Sequence, residues 1–534
     1  MNEELDLEEL APWLVGFITL IGGGLRLLLL GTKGLWLDET FSVWLANQPV
    51  GDMLHWVVQI DQHPPLYYLL LHAWVALVGD TPYDVRLLSV LFGAGTIPVI
   101  YLIGKRLSGV LVGLAAAVFL ALSPFNIYYA QEARMYTLLA LNAAVAIYAL
   151  VRLLTDARAA RPIGRQLREH GLRRSAVAHI ETDLAWVAFV VFSAAAMWSQ
   201  NTAVFLPLAT NLFVLTLILV QRRTKSAAPP ALHAPSLANW LKAQIGIFLL
   251  WSPWLFFFIR QAGAVSRRFW IPAPTAESVL QTLKLLLNPS APLPPGPTLA
   301  IWTLYALVLC LGLVHYRQRL ARFWLLAALF AVPFLGELLV SIWRPIFYDR
   351  TLIWTTIPLC LLLAAGVAQL KFRPLLLLAL GGFVTLNLFS VGDYFRFYQK
   401  EDWHTAAGYV ANFAEDNDLV LFNSNFVIIS FDYYFQPYEK QYSLQVVKRG
   451  VPRDLFTNGI LEPEMTESDV PALISLLREH SRVWLVYSHN DYTDPRGLIP
   501  QTLAAEMNLV RQRDFYGGQV QLYETRSPPP LGED

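Results

Sequence analysis

The sequence predicts a polytopic α-helical membrane protein, with about eleven transmembrane helices, that ends in a small extracytoplasmic α/β domain. Of its 534 residues 55% are hydrophobic and 15% charged, and the mean hydropathy is +0.44. Those values exclude an ordinary soluble chain of this size. The apolar residues fall in long blocks up to about residue 392, and from Lys400 the composition becomes that of a soluble domain.

The acidic start, Met1 to Leu10, lacks the basic region of a cleavable signal, so the first apolar block is expected to stay as a membrane helix. Blocks long enough to cross a hydrocarbon core, roughly 17–25 residues, cover 12–31, 84–104, 110–129, 134–153, 183–199, 203–220, 240–258, 298–315, 322–342, 351–370 and 374–392. The block from His63 to Val78 opens with Pro64-Pro65 and is short; it is read as lying at the outer face. Alternate connections carry Lys105-Arg106, the series Arg152, Arg158, Arg161, Arg165, Arg168, Arg173 and Arg174, then Arg222-Arg223-Lys225, Arg317-Arg319-Arg322 and Lys371-Arg373. Basic short loops mark the cytoplasmic side. One parity satisfies all of them: N-terminus inside, and the segment after Gly392 outside, in a cytoplasmic (inner) membrane.

The expected domains are therefore 1–399, a membrane catalytic domain with an external loop 32–83, and 400–534, an extracytoplasmic α/β domain. In the latter, strand-like runs at 418–422, 482–487 and 519–523 alternate with helical patterns near 403–414, 467–479 and 499–508. A further helix capped by Thr275 is expected on the outer connection after the seventh span. Cys310 and Cys360 lie inside apolar blocks and read as packing residues. No basic-aromatic pattern points to nucleic acid, and no His or Cys spacing points to zinc.

The outer side gathers the polar residues. Asp38-Glu39 follows the first span, and Glu132, Arg134 and Tyr136 close the motif Ser123–Tyr136. Arg260, Arg267, Arg268, Arg344 and Arg350 sit outside against the charge bias. An acid at the membrane surface is a functional-site hypothesis. A carboxylate shielded from water has its pKa raised toward a useful range for a base, and a planar guanidinium suits a phosphate. The set fits a hydroxyl attacking a sugar on a lipid phosphate, since phosphate leaves without a general acid. Asp38 is the candidate base, with Glu39 beside it and Glu132 as a second acid. His63, Arg134, Tyr136, Arg350, Arg267 and Arg268 are the candidate substrate-binding residues. Plainer roles stand beside these. Asp38 can cap a helix starting at Glu39, Glu132 can serve a helix dipole and Arg134 can snorkel. Arg350 can pair with Asp349, and His63 can be hydrogen-bonded at the interface.

Leu35-Trp36-Leu37-Asp38-Glu39, His63-Pro64-Pro65-Leu66-Tyr67, Ser123-Pro124 through Gln131-Glu132-Ala133-Arg134-Met135-Tyr136, and Lys400-Glu401-Asp402-Trp403 resemble bacterial members of the dolichyl-phosphate-mannose protein mannosyltransferase and aminoarabinose transferase superfamily. These are polytopic glycosyltransferases of the GT-C class (family 39-like). The resemblance covers the membrane region well and the C-terminal domain poorly. It implies a polyprenyl-phosphate sugar donor, hexosyl or pentosyl transfer to a lipid, glycan or protein acceptor, and an outward-facing site in the first long external loop. It also implies inverting single displacement, with Asp38 as the catalytic carboxylate and Glu132 at the second acidic position. His63 stands where relatives place a residue near the donor phosphate, some of them a lysine. No cofactor is predicted; a divalent cation is possible, through oxygen ligands from Asp38, Glu39 and Glu132. The rival class is a transporter or flippase of lipid-linked saccharides. Transporters place polar residues near the bilayer midplane, often in inverted repeats; here they gather at one face and no repeat is visible. A structural, envelope-assembly role would leave Asp38 dispensable.

Overall fold

The structure, a computed structural model, describes residues 7–61, 63–156, 172–223, 232–264, 272–288, 295–317 and 319–526. It divides into two compact units, Met1–Leu30 with Gln62–Tyr67 and Arg86–Phe397, and Gly31–Asp61 with Tyr68–Val85 and Tyr398–Asp534.

The first unit is helical. Among the described residues nine helices are long and apolar enough to cross a membrane, and ten if the bent pair α6 (Val110–Ala121) and α7 (Pro124–Ala130) is one span. The expected span at 298–315 lies in the helix Pro295–Tyr316, whose apolar stretch Ile301–Tyr316 is shorter than the others. The chain is a multi-pass membrane protein. The 56° bend between α6 and α7 falls at Ser123-Pro124, where proline cannot donate to the preceding turn. Ser123 Oγ instead accepts the Asn126 N–H at 3.3 Å and starts the new helix.

Burial sorts the spans by position. Every residue from Thr356 to Val367 is buried, which makes that helix central. By contrast α1 (Leu7–Leu27) presents Trp13, Phe17 and Leu20 outward, and Arg373–Phe397 presents Leu377, Leu378 and Phe389. The central helix meets Pro295–Tyr316 at Gly312 and Gly366. A Cβ at either glycine would overlap a facing carbonyl, Leu362 O or Val308 O, the close backbone approach that small residues permit between membrane helices. Arg26, fully buried in α1, donates to Gly22 O (2.8 Å), Ala121 O (2.9 Å) and Leu120 O (3.1 Å). It thereby satisfies carbonyls left open at the end of α6.

In the second unit a five-stranded sheet has the order β2-β1-β3-β5-β4. The strands are β1 (Leu419–Phe422), β2 (Val447–Gly450), β3 (Arg482–Tyr487), β4 (Met507–Phe515) and β5 (Gly518–Thr525). β1 runs parallel to β2 and β3, while β5 runs antiparallel to β3 and β4. Alternate residues serve opposite faces. Val420, Phe422, Trp484 and Val486 join one core with the helices Trp403–Ala411 and Val427–Tyr442. Leu419, Leu421, Val483 and Leu485 join the other with Val470–Leu477 and Leu498–Glu506.

The first of these cores also takes in Leu37 and Ile60, with Trp36, Phe41, Trp44 and Trp56 packed against it. Residues 31–61 and 68–85, grouped by composition with the membrane segment, thus fold with residues 398–534. Their aromatic side chains find an apolar core there. This stretch contains α2 (Leu37–Ala46) and α3 (Val50–Gln59). The 13-residue α4 (Leu66–Val78) is about 20 Å long, too short for a span. The helix Ala276–Leu287 begins, as expected, at a Thr275 capping box, here with Ser278.

Candidate active site

Asp38 and Glu39 lie in the first turn of α2, whose N-cap is Trp36 in an extended conformation with no side-chain cap bond. The helix starts at Leu37, so Asp38 is not its cap. Adjacent helical residues point about 100° apart, and the two acids part company. Glu39 turns inward, fully buried, and its Oε2 lies 2.8 Å from Lys400 Nζ. Asp38 stays partly exposed.

The C-terminal segment fixes this turn at several points. Leu35 N–H donates to Tyr434 Oη at 2.6 Å, Leu37 N–H to Glu401 Oε2 at 3.2 Å, and Thr40 Oγ1 meets Ser430 Oγ at 2.6 Å. Glu462 lies close enough to feel the charge of Asp38. Burial pushes the Glu462 carboxyl up to about 7; the Tyr492 hydrogen bond and His489 oppose this, while Asp38 and Asp491 add to it. Ser488 and His489 follow β3, and Asn423 follows β1, where its Nδ2 donates to Ser488 O at 2.7 Å. β2 and β3 flank β1 on opposite sides, so this is the switch point of the parallel strands, the edge where such sheets place functional residues.

The first unit carries its own polar cluster. The turn between α7 and α8 (Tyr136–Thr155) is held by Gln131, which donates to Arg26 O (3.0 Å) and Leu28 O (2.7 Å) and accepts from Tyr394 Oη (2.9 Å). That turn presents Glu132, fully buried, and Arg134, 2% exposed. A solvent-seeking role does not fit Arg134. Its Nη2 lies 3.3 Å from His63 Nδ1. Ser89 Oγ donates to Arg134 O at 3.2 Å and meets Tyr67 Oη at 2.9 Å.

Arg350, in the turn Asp349–Thr355, stacks over the rings of Tyr348 (4.7 Å) and Tyr136 (5.5 Å). Asp349 accepts the Arg350 backbone N–H at 2.8 Å and the Tyr129 hydroxyl at 3.3 Å. The rings of Tyr129 and Tyr136 are 5.0 Å apart. Glu132, Asp349 and Arg350 all act electrostatically on Tyr129. Arg134, His63, Tyr136, Arg350 and Glu132 are thus neighbours in one unit, and Asp38 and Glu39 lie in the other. Arg267 and Arg268 lie outside the described residues.

The fold has solved relatives. ArnT from Cupriavidus metallidurans, in the apo state, matches with a TM-score of 0.62 at 12% identity, over 95% of this chain and 97% of that one. The chain has the GT-C fold. The same GT-C protein bound to undecaprenyl phosphate matches with a TM-score of 0.55, at the same identity and coverage. The oligosaccharyltransferase of Archaeoglobus fulgidus, tethered to an acceptor peptide, matches at 0.55 with 10% identity over 97% of this chain and 75% of that one. In sequence, the profile of the family described as dolichyl-phosphate-mannose-protein mannosyltransferase matches residues 62–161, which include His63, Glu132 and Arg134. Fold and profile together support the GT-C and protein mannosyltransferase superfamily. No curated protein matches the sequence.

Among the described residues of this GT-C chain, no group of three His, Cys, Asp or Glu side chains is placed to hold a metal ion. Glu39 is committed to Lys400. Lys400, Glu401, Glu462, His489 and Tyr492 were not among the candidate site residues, and Asp349 stood only as a pairing partner for Arg350. Lys400 and Glu401 were visible as part of a family-like motif. Glu462 and His489 carry no local signal, because only the tertiary fold brings them to α2.

Proposed function

We propose that the protein is a membrane glycosyltransferase that moves a sugar from a polyprenyl-phosphate donor to a hydroxyl acceptor by inverting single displacement. The observation that carries this reading is the placement of Asp38 in a GT-C fold. It is the partly exposed acid of a pair whose other member is buried against a lysine. The ArnT relative bound to undecaprenyl phosphate supports a lipid-phosphate donor.

In this reading the Asp38 carboxylate takes the proton from the acceptor hydroxyl as its oxygen bonds to the anomeric carbon. The bond from that carbon to the phosphate oxygen breaks, and polyprenyl phosphate leaves as an anion. Arg134 and Arg350 bind the phosphate through guanidinium N–H groups, with His63 and Tyr136 orienting them. Glu132, buried in the same turn as Arg134, is the second acid of the site. The loop charges favour an N-terminus in the cytoplasm and residues 398–534 outside an inner membrane.

The test is sugar transfer by the purified protein from defined polyprenyl-phosphate donors, comparing wild type with Asp38→Asn. Loss of at least about a hundredfold in kcat is expected from removing the base. Full activity in the variant removes Asp38 from this role. Movement of donor across vesicles without transfer favours a flippase.

A further inference from the structure

We propose that Glu401 and His489 are positioning residues for Asp38: the pair holds the first turn of α2 in place, so the C-terminal segment takes part in the reaction. This rests on the reading of Asp38 as the base.

Helix α2 lacks a side-chain cap of its own at Trp36. A first-turn N–H needs an acceptor, and an anion there also meets the positive end of the helix dipole. Glu401 supplies both. Its Oε2 accepts from Leu37 N–H at 3.2 Å and from Trp403 Nε1 at 2.8 Å, while Oε1 faces His489 Nε2 at 3.2 Å. One carboxylate therefore joins the residue before Asp38 to the loop that follows β3.

The surroundings are shaped for this contact. Gly517, with φ +97°, forms the β4–β5 turn, and a Cβ there would come within 2.7 Å of Glu401 Cγ, so the turn must be glycine for the carboxylate to sit where it does. His489 has a left-handed backbone, φ +53°, and its ring lies 6.1 Å from both Phe426 and Tyr492. Its Nδ1 is 3.3 Å from Ser488 Oγ, which leaves Nε2 facing Glu401.

The charged groups around the imidazole are Glu401, Glu462 and Asp491, with Tyr492 against the ring. Burial pulls its pKa down, but the Glu401 hydrogen bond and the charges of Glu401, Glu462 and Asp491 together outweigh burial and leave it raised above 6.5. The imidazolium that steadies Glu401 is present below that raised value. It is lost as pH rises through it.

The test uses the full-length protein in detergent or nanodiscs, with His489→Asn and Glu401→Gln. Asparagine tolerates the left-handed backbone, and glutamine keeps an acceptor for Leu37 and Trp403 while losing the charge. Hydrogen–deuterium exchange over residues 37–46 reads the pinning whatever the activity. Faster exchange there, with the sheet amides unchanged, is expected in both variants. Sugar transfer reads the consequence: kcat lower by about tenfold for a displaced base, donor KM within about twofold, and the alkaline limb of the wild-type pH profile absent in His489→Asn.

Exchange, kcat and pH profile all as in wild type in either folded variant overturn the proposal. So does a change confined to KM. If His489→Asn fails to fold, the isosteric Glu401→Gln decides alone. If wild type transfers no sugar, the functional reading falls while the exchange result still decides whether the pair pins α2.

Discussion

Lys400 Nζ lies 2.8 Å from Glu39 Oε2, with the two side chains 2% and 0% exposed. A buried ion pair is costly to form and costlier to break from one side, because the remaining charge is stranded. Lys400→Met should therefore destabilise the protein by about 3–5 kcal/mol, read as a lowered thermal midpoint in detergent. The double variant Glu39→Gln with Lys400→Met should recover most of that loss. A single variant as stable as wild type would show that the pair does not hold α2 to the C-terminal segment.

Glu462 gives a pH dependence whose sign follows from its raised pKa of about 7 against 4.5 for the free side chain. Below pH 4.5 the carboxyl is neutral in both folded and unfolded chains and costs nothing. As pH rises toward 7 the unfolded chain ionises first, so stability falls through that window. Glu462→Gln should remove the penalty, raising stability by about 3 kcal/mol at pH 8 and leaving it unchanged near pH 4. Thermal melts of both proteins across that range check it.

Arg350 lies over the rings of Tyr348 and Tyr136, and in the proposed function it binds the donor phosphate. Arg350→Lys keeps the charge but loses the planar fork and the stacking. The donor KM should rise roughly ten- to hundredfold, the equivalent of one or two charge-assisted hydrogen bonds, with acceptor KM little changed. An unaltered donor KM removes Arg350 from phosphate binding.

Gly366 faces Val308 O across the contact between the central helix and Pro295–Tyr316. Gly366→Ala should force the two helices apart and cost about 1–3 kcal/mol, measured by thermal unfolding. Gly381, with no atom within 4 Å of a built Cβ, should accept alanine without such a loss.

What was legible in the sequence follows from how far apart the deciding residues are. Membrane helices are written in local composition, so each expected span coincides with helical structure, although 110–129, expected as one span, is bent by 56° at Ser123-Pro124. The strands β1, β3 and β5 stood out by their apolar runs. β2 did not: it is four residues long and includes Lys448 and Arg449. β4 did not either, since seven of its nine residues are exposed at the sheet edge. The site was half legible. The sequence singled out Asp38-Glu39 as a candidate pair but could not say which acid faces inward, because that depends on Lys400, 361 residues away. His489 lies in the loop after β3; its reach to Glu401 depends on the tertiary fold and has no signal in the local sequence.

The unit that holds Asp38 is assembled from Gly31–Asp61, Tyr68–Val85 and Tyr398–Asp534, so synthesis of the membrane spans intervenes between its parts. At about 5–20 residues per second, the 361 residues from Glu39 to Lys400 take roughly 20–70 s to translate. During that interval the nascent chain has its acidic helix but neither Lys400 nor Glu401 to hold it. The helix that carries Asp38 gains its contacts to Lys400 and Glu401 only after the membrane spans have been made, so a ribosome that stops before residue 400 leaves that helix without them.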